Sequence, residues 1–144
     1  MTEAKDQFTI TTDKEKFDVD VIHSFLTTSY WAEGISREIV RRSIEGALCF
    51  GVFENNKQVG FARMITDKAT FAYLADVFII EEYRGRGLSK WLMQVMMSHP
   101  DLQGLRRMML ATRDAHELYK KFGFTPLNNV DRWMHIHDPD VYKR

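Results

Sequence analysis

The run TFAYLADVFII at residues 70–80 does most to limit what this chain can fold into. Phe71, Tyr73, Ala75, Val77 and Ile79 alternate with Ala72, Leu74, Phe78 and Ile80, so both faces of an extended strand are apolar. Such a strand belongs in the middle of a sheet covered on two sides. Asp76 is the one exception. The run leads into Glu81-Glu82-Tyr83, then Arg84-Gly85-Arg86-Gly87, and on into a helix carrying Leu88, Trp91, Leu92, Val95 and Met96 at i, i+3, i+4, i+7 and i+8. A central strand, a glycine loop and an amphipathic helix together predict a layered α/β domain.

The remaining elements agree. FTITT at 8–12 reads as a short strand, and Asp18 or Asp20 and then Ser36 can cap two amphipathic helices. LCFGVFE at 48–54, the turn Asn55-Asn56-Lys57 and QVGFARMI at 58–65 predict a hairpin. RMMLAT at 107–112 reads as a buried strand. Asp114 is placed to cap a helix burying Ala115, Leu118, Tyr119 and Phe122, which Gly123 ends. RWMHIH at 132–137 reads as a closing strand. The expected order is β-α-α-β-β-β-α-β-α-β, an α/β fold with a mixed sheet. With 144 residues and 16.9 kDa there is room for one domain. Its compact folded surface should be roughly 7,700 Å².

The loop at 84–90 carries the chemistry. Glycines allow backbone N–H groups to converge without an intervening Cβ, and the helix start adds unpaired N–H groups and a positive dipole end. Arg84, Arg86 and Lys90 add cations, and the whole reads as a phosphate cradle. A glycine turn flanked by solvated arginines is the plainer alternative. The P-loop pattern is absent, and R-G-R-G-L-S fits a dinucleotide fingerprint poorly.

At these residues the chain resembles motif A of the GNAT superfamily of acyl-CoA-dependent N-acetyltransferases, Q/R-x-x-G-x-G/A, with Arg84, Gly87 and Ser89 at the defined positions. Ser89 departs from the usual Gly or Ala. LATRDAHELYKKFGF at 110–124 resembles motif B through Ala115, Leu118, Tyr119, Gly123 and Phe124. Thr112 stands where an Asn is common, a departure at the expected pantetheine contact. The resemblance implies one N-acetyltransferase domain over 6–144, using acetyl-CoA (CoA) as acyl donor and a small-molecule or peptide primary amine as acceptor. It implies direct attack in a ternary complex. A non-catalytic acyl-CoA-binding sensor or regulatory module is the alternative.

The same resemblance assigns residues. The donor would meet the loop and helix start at Arg84, Gly85, Arg86, Gly87, Leu88, Ser89 and Lys90, the strand at Val77, Phe78 and Ile79, and also Thr112 and Tyr119. Tyr119 would protonate the departing thiolate, although a phenol near 10 is a weak acid for a thiol near 8.5. An acceptor amine near 10.4 needs a route for its proton. Asp76 is the first candidate base, with a structural ion pair to an Arg such as Arg63 as the alternative, and Tyr73 could order a water or line the acceptor pocket. Water-mediated deprotonation without a single base is also open. Tyr30 and Trp31, in the segment joining the first two helices, would suit an amine with an apolar body, or else pack. His135 and His137 share a strand face beside Asp138, but a third ligand at metal spacing is missing, and no metal is expected.

Cys49 is the single cysteine and lies away from both motifs, which disfavours an acyl-cysteine intermediate and fits a reducing compartment. With no apolar leader or membrane-length run, a soluble cytoplasmic protein, monomer or homodimer, is expected. Twenty Lys+Arg balance twenty Asp+Glu, which argues against nucleic acid as a partner. The neutrality is an average. Residues 1–83 hold nine basic and fourteen acidic side chains, and residues 84–125 hold eight and three. The cation excess thus coincides with both motifs.

Overall fold

The structure, a computed structural model, describes residues 1–144. A six-stranded sheet runs in chain order: β1 (Thr2–Lys5), β2 (Phe8–Thr11), β3 (Leu48–Glu54), β4 (Lys57–Thr66), β5 (Phe71–Ile79) and β6 (Arg107–Leu110). Neighbours from β1 to β5 are antiparallel; β5 and β6 are parallel. Helices α1 (Val19–Leu26) and α2 (Arg37–Glu45) cover one face, burying Ile22, Leu26, Val40 and Ile44 with Cys49, Phe61 and Phe78. On the other face α3 (Leu88–Met97) and Tyr119 of the short α4 (His116–Lys120) pack on Phe50, Met64, Ala72 and Leu74. No helix is long and apolar enough to cross a membrane.

Local chemistry starts these elements where expected. The Asp18 carboxylate accepts from the N–H groups of Asp20 and Val21 at the head of α1, and Ser36 accepts from Ile39 at the head of α2. Asn55, at φ 54°, turns the β3–β4 hairpin. Gln58, 1% exposed, ties that hairpin to α1 by accepting from Asp18 N at 2.7 Å and donating to Gly60 O at 3.1 Å.

Four expectations need correcting. A further strand, β1, precedes the 8–12 strand and pairs with it from Thr2↔Thr11 to Lys5↔Phe8; its fully exposed edge position leaves no apolar signature. Helix α4 begins at His116 rather than after Asp114, because Thr112 Oγ1 accepts from the Ala115 N–H (3.1 Å) and fixes the turn first. The alternation along β5 breaks at Asp76. There the backbone is left-handed (φ 56°), and the register with β4 slips between Phe61 and Arg63. This bulge shifts the parity, so Leu74 and Ile79 face α3 while Phe78 faces α1. Finally, residues 132–137 form no strand: a 3₁₀ turn at Val130–Arg132 precedes a segment with no ladder partner.

Candidate active site

The geometry of β5 creates the site. Its parallel pairing with β6 runs only from Phe71↔Arg107 to Leu74↔Leu110, while β5 continues to Ile79. Beyond Leu74 the edge that faced β6 is therefore without a neighbour, and a cleft of about 740 Å³ opens between β5, the 110–115 turn and α4. Val77, Phe78, Ile79, Arg84, Ser89, Thr112 and Tyr119 line it, with Tyr30, Trp31, Tyr73 and Asp76. A hollow of about 810 Å³ on the outer side of β6 is larger, but it lacks the loop, Asp76 and Tyr73.

At one end lies the glycine loop. Gly85 and Gly87 have φ of 79° and 76°, and a Cβ built on either would meet nothing within 4 Å. The left-handed backbone thus borders open space instead of a packed neighbour. α3 starts at Gly87 with no side-chain cap, and its first backbone bond is Trp91 N to Gly87 O. The N–H groups of Leu88, Ser89 and Lys90 thus lack helical acceptors. These residues fit a pyrophosphate: a concavity without Cβ atoms and a row of unsatisfied donors. The three cations differ. Arg84 donates from Nε to Ile79 O (2.9 Å), Arg86 lies 4.9 Å over the Tyr83 ring, and Lys90 is exposed and makes no ion pair. Gly85, Arg86, Gly87, Leu88 and Lys90 do not line the cleft; their loop enters it through Arg84 and Ser89.

The middle holds Tyr119, 8% exposed. Burial pushes its phenol above the usual value near 10, and Tyr30 and Asp114 push the same way. Its hydroxyl consequently keeps its proton at neutral pH. Thr112 borders the same region, its Oγ1 engaged by the 114–115 backbone.

At the far end Asp76 is the hub. Trp31 Nε1 donates to one carboxylate oxygen and Arg63 Nε to the other, both at 2.8 Å. The bulge makes this possible by turning the one acidic side chain of the strand, 8% exposed, between those two donors. Trp31 meets Tyr30 edge-on (centroids 5.1 Å apart), and Phe25 stacks on Phe78 at 4.1 Å. Tyr73 lies half-buried on the cleft wall.

Several lining residues had not been expected there, Arg113, Tyr142 and Phe25 among them. Arg113 sits 3.9 Å over the Tyr30 ring and donates its backbone N–H to Tyr30 Oη (3.2 Å). Tyr142 reaches the cleft from the C-terminal tail and packs on Gly34. Phe25 reads simply as an apolar helix position. Of these three, Arg113 alone carried a signal, since it lies next to Thr112 within the motif B segment. Cys49 lies outside the cleft, in the core under α2, where burial pushes its thiol up to about 12. No group of three or more His, Cys, Asp and Glu is arranged to hold a metal.

The acetyltransferase (GNAT) family matches residues 14–124. A Gibberella zeae protein named as a candidate acetyltransferase is 32% identical over 137 residues, covering 79% of this chain and 76% of that one. A crystal structure from Xanthomonas campestris pv. campestris, of a protein assigned to the GNAT family, is 48% identical with a TM-score of 0.93, covering 95% of this chain and 97% of that chain. The fold is also similar to that of a Clostridium acetobutylicum protein crystallised with acetyl-CoA, at 15% identity and a TM-score of 0.65, over 95% and 96% of the two chains.

Proposed function

This chain belongs to the acetyltransferase (GNAT) family, and we propose that its 6–144 domain moves an acetyl group from acetyl-CoA to a primary amine by direct attack within the cleft. The observation that carries the reading is the cleft itself. One opening joins a phosphate-shaped glycine loop, a free strand edge, a buried phenol and an aromatic wall beside a carboxylate.

Acetyl-CoA supplies an activated thioester and three phosphates. The backbone N–H groups around Gly85, Gly87, Leu88, Ser89 and Lys90 hold the pyrophosphate, with Arg86 and Lys90 as nearby cations. The exposed edge of β5 at Val77, Phe78 and Ile79 offers main-chain bonds to the pantetheine arm, in the manner of an added strand, and one N–H polarises the carbonyl. Thr112 borders the arm from the opposite side.

Tyr119 donates its proton toward the leaving sulfur. Its raised pKa keeps the donor form populated, at the cost of a weaker driving force. On the acceptor side Tyr30, Trp31 and Tyr73 receive an amine with an apolar body. Asp76, paired with Arg63, is the acidic side chain of this wall and faces the incoming amine. The ammonium proton leaves to Asp76 through a water held by Tyr73.

The test is a thiol-release assay with acetyl-CoA against small amines, polyamines, amino acids, aminoglycosides and peptide N-termini. Amine-dependent release with matching acetylated product is expected. Tight acetyl-CoA binding with no product across the panel would overturn the catalytic reading in favour of a sensor module.

A further inference from the structure

We propose that the acceptor is an amino carboxylate, an amine whose own carboxylate is held by the Arg113 guanidinium where it lies over Tyr30. The proposal rests on the acetyltransferase reading and narrows its acceptor class.

The charges lining the cleft carry the argument. Three arginines and two aspartates line it: Arg63, Arg84, Arg113, Asp76 and Asp114. Three of the five are engaged within the chain. Arg63 and Asp76 form an ion pair at 2.8 Å, and Trp31 Nε1 donates to the other oxygen of Asp76. Arg84 donates to Ile79 O beside the glycine loop. Arg113 differs. It is exposed, makes no ion pair, and its one hydrogen bond comes from the backbone N–H, so the whole guanidinium fork is without an acceptor.

That fork is nevertheless positioned. The guanidinium carbon lies 3.9 Å from the Tyr30 ring centroid, and the Arg113 backbone N–H donates to the Tyr30 hydroxyl at 3.2 Å. Tyr30 thus grips the residue through both its main chain and its side chain. A guanidinium held over a ring face keeps its planar set of N–H donors for a partner at its edge. Holding it there in the free protein lowers the ordering cost of binding.

Such a fork matches the paired oxygens of a carboxylate or of a phosphate. The carboxylate is favoured by Asp114, the next residue, which is exposed and without an ion pair. Its charge repels any anion on Arg113, and a dianion suffers that repulsion twice over. The turn therefore presents one free charge of each sign, the complement of a zwitterion. Reach agrees. Tyr30 and Asp114 both act on the Tyr119 phenol, so the fork lies within one small molecule of the proton donor. An apolar side chain on that molecule would meet the aromatic wall. In the reaction the amine nitrogen displaces sulfur from the acetyl carbon, and the carboxylate is unchanged. Of the two ammonium protons lost, one ends on the CoA thiol and the other in solvent.

The test is thiol release from acetyl-CoA with glycine, leucine, phenylalanine and β-alanine, each against its own carboxamide. The amide nitrogen is the less basic of each pair, so a preference for the carboxylate runs against intrinsic reactivity. At least one pair should favour the carboxylate by about 10- to 100-fold in kcat/KM. Arg113→Gln should bring that ratio to within about threefold of unity through the carboxylate's KM, and Arg113→Lys should keep part of it. A purely structural Arg113 would lower both members of a pair and leave the ratio alone. An unchanged ratio in Arg113→Gln overturns the proposal, as does a wild type that turns over the amides equally well or turns over only other amines. Those results leave the acetyltransferase reading intact. If no amine of any kind is acetylated, that reading fails and binding decides the present one. Saturation-transfer NMR of the same pairs on CoA-saturated protein should show the carboxylates bound, and Arg113→Gln should abolish the signal. Absence of carboxylate binding, or binding that survives the substitution, overturns the proposal.

Discussion

Replacing Gly87 by Ala tests the phosphate cradle, because the structure separates its two consequences. At φ 76° and ψ 12° an alanine backbone is strained by about 1–2 kcal/mol. Nothing lies within 4 Å of the new Cβ, so packing adds no further penalty. For a domain of this size the melting temperature should fall by about 3–7 °C. If a pyrophosphate occupies that open space, the methyl group denies it at least one charge-assisted backbone bond, a loss of about 1.5–3 kcal/mol. That is about 10- to 150-fold in Kd. The assay is calorimetric titration with CoA at a temperature where the variant is folded, with S-acetylpantetheine, which lacks the pyrophosphate, as control acyl donor. Weakened CoA binding with an unchanged pantetheine KM is expected. A melting point that falls as stated while the CoA Kd stays within about twofold would refute the reasoning, since the strain would be present without the phosphate.

Other positions give sharp outcomes. Tyr119→Phe should lower kcat by about 10²–10⁴-fold and leave the CoA Kd unchanged, and in the wild type the alkaline loss of this group's contribution should fall above pH 10, because burial raises its pKa and the protonated form is active; equal loss in kcat and CoA affinity would argue for a packing role instead. Asp76→Asn keeps a partner for Trp31 but leaves the Arg63 guanidinium, 17% exposed, without its counter-charge, and should raise the amine KM and cost about 1–3 kcal/mol in urea unfolding. Cys49, with its thiol pushed to about 12 and 0% exposed, should resist thiol reagents at pH 8 until the chain unfolds; stoichiometric labelling of native protein would contradict the burial. His99 is held below its usual 6.5 chiefly by burial, while its Nδ1 accepts from Asp101 N. A depressed folded pKa means that its contribution is present above 6.5 and is lost as pH falls through the folded value. His99→Asn should flatten the acid side of the stability curve, and an unchanged slope would sink this assignment.

Local signals account for what could be read from the chain alone. Asp18, Ser36, Asn55 and the 84–90 loop act within a few residues of themselves, so caps, hairpin and loop appear where those residues stand. The cleft was only half legible. Tyr119, Ser89 and the end of β5 belong to contiguous patterns. Arg63, Arg113 and Tyr142 reach the site through pairings 13, 83 and more than a hundred residues away, which no periodicity records. Thr112 shows a competition that a single position hides: the hydroxyl that closes the α4 turn is the one expected at the pantetheine.

Asp76 and the 132–137 segment each broke a local rule, and the two exceptions have different physical origins. A lone carboxylate in an apolar strand is costly unless it is paired. The bulge at Asp76 resolves the conflict within the chain: left-handed backbone at one residue turns the carboxylate to Arg63 and Trp31, and the shifted parity leaves Leu74 and Phe78, four residues apart, on opposite cores. The strain sits at the cleft wall, where it brings the ion pair and the aromatic side chains together. The tail shows no such internal resolution. Its alternation is as regular as that of β2, yet Met134 and Ile136 stand in water beside a free edge in the same molecule. A mismatch relieved by its own backbone marks the site, whereas the tail's mismatch is left open at the surface and marks no cleft.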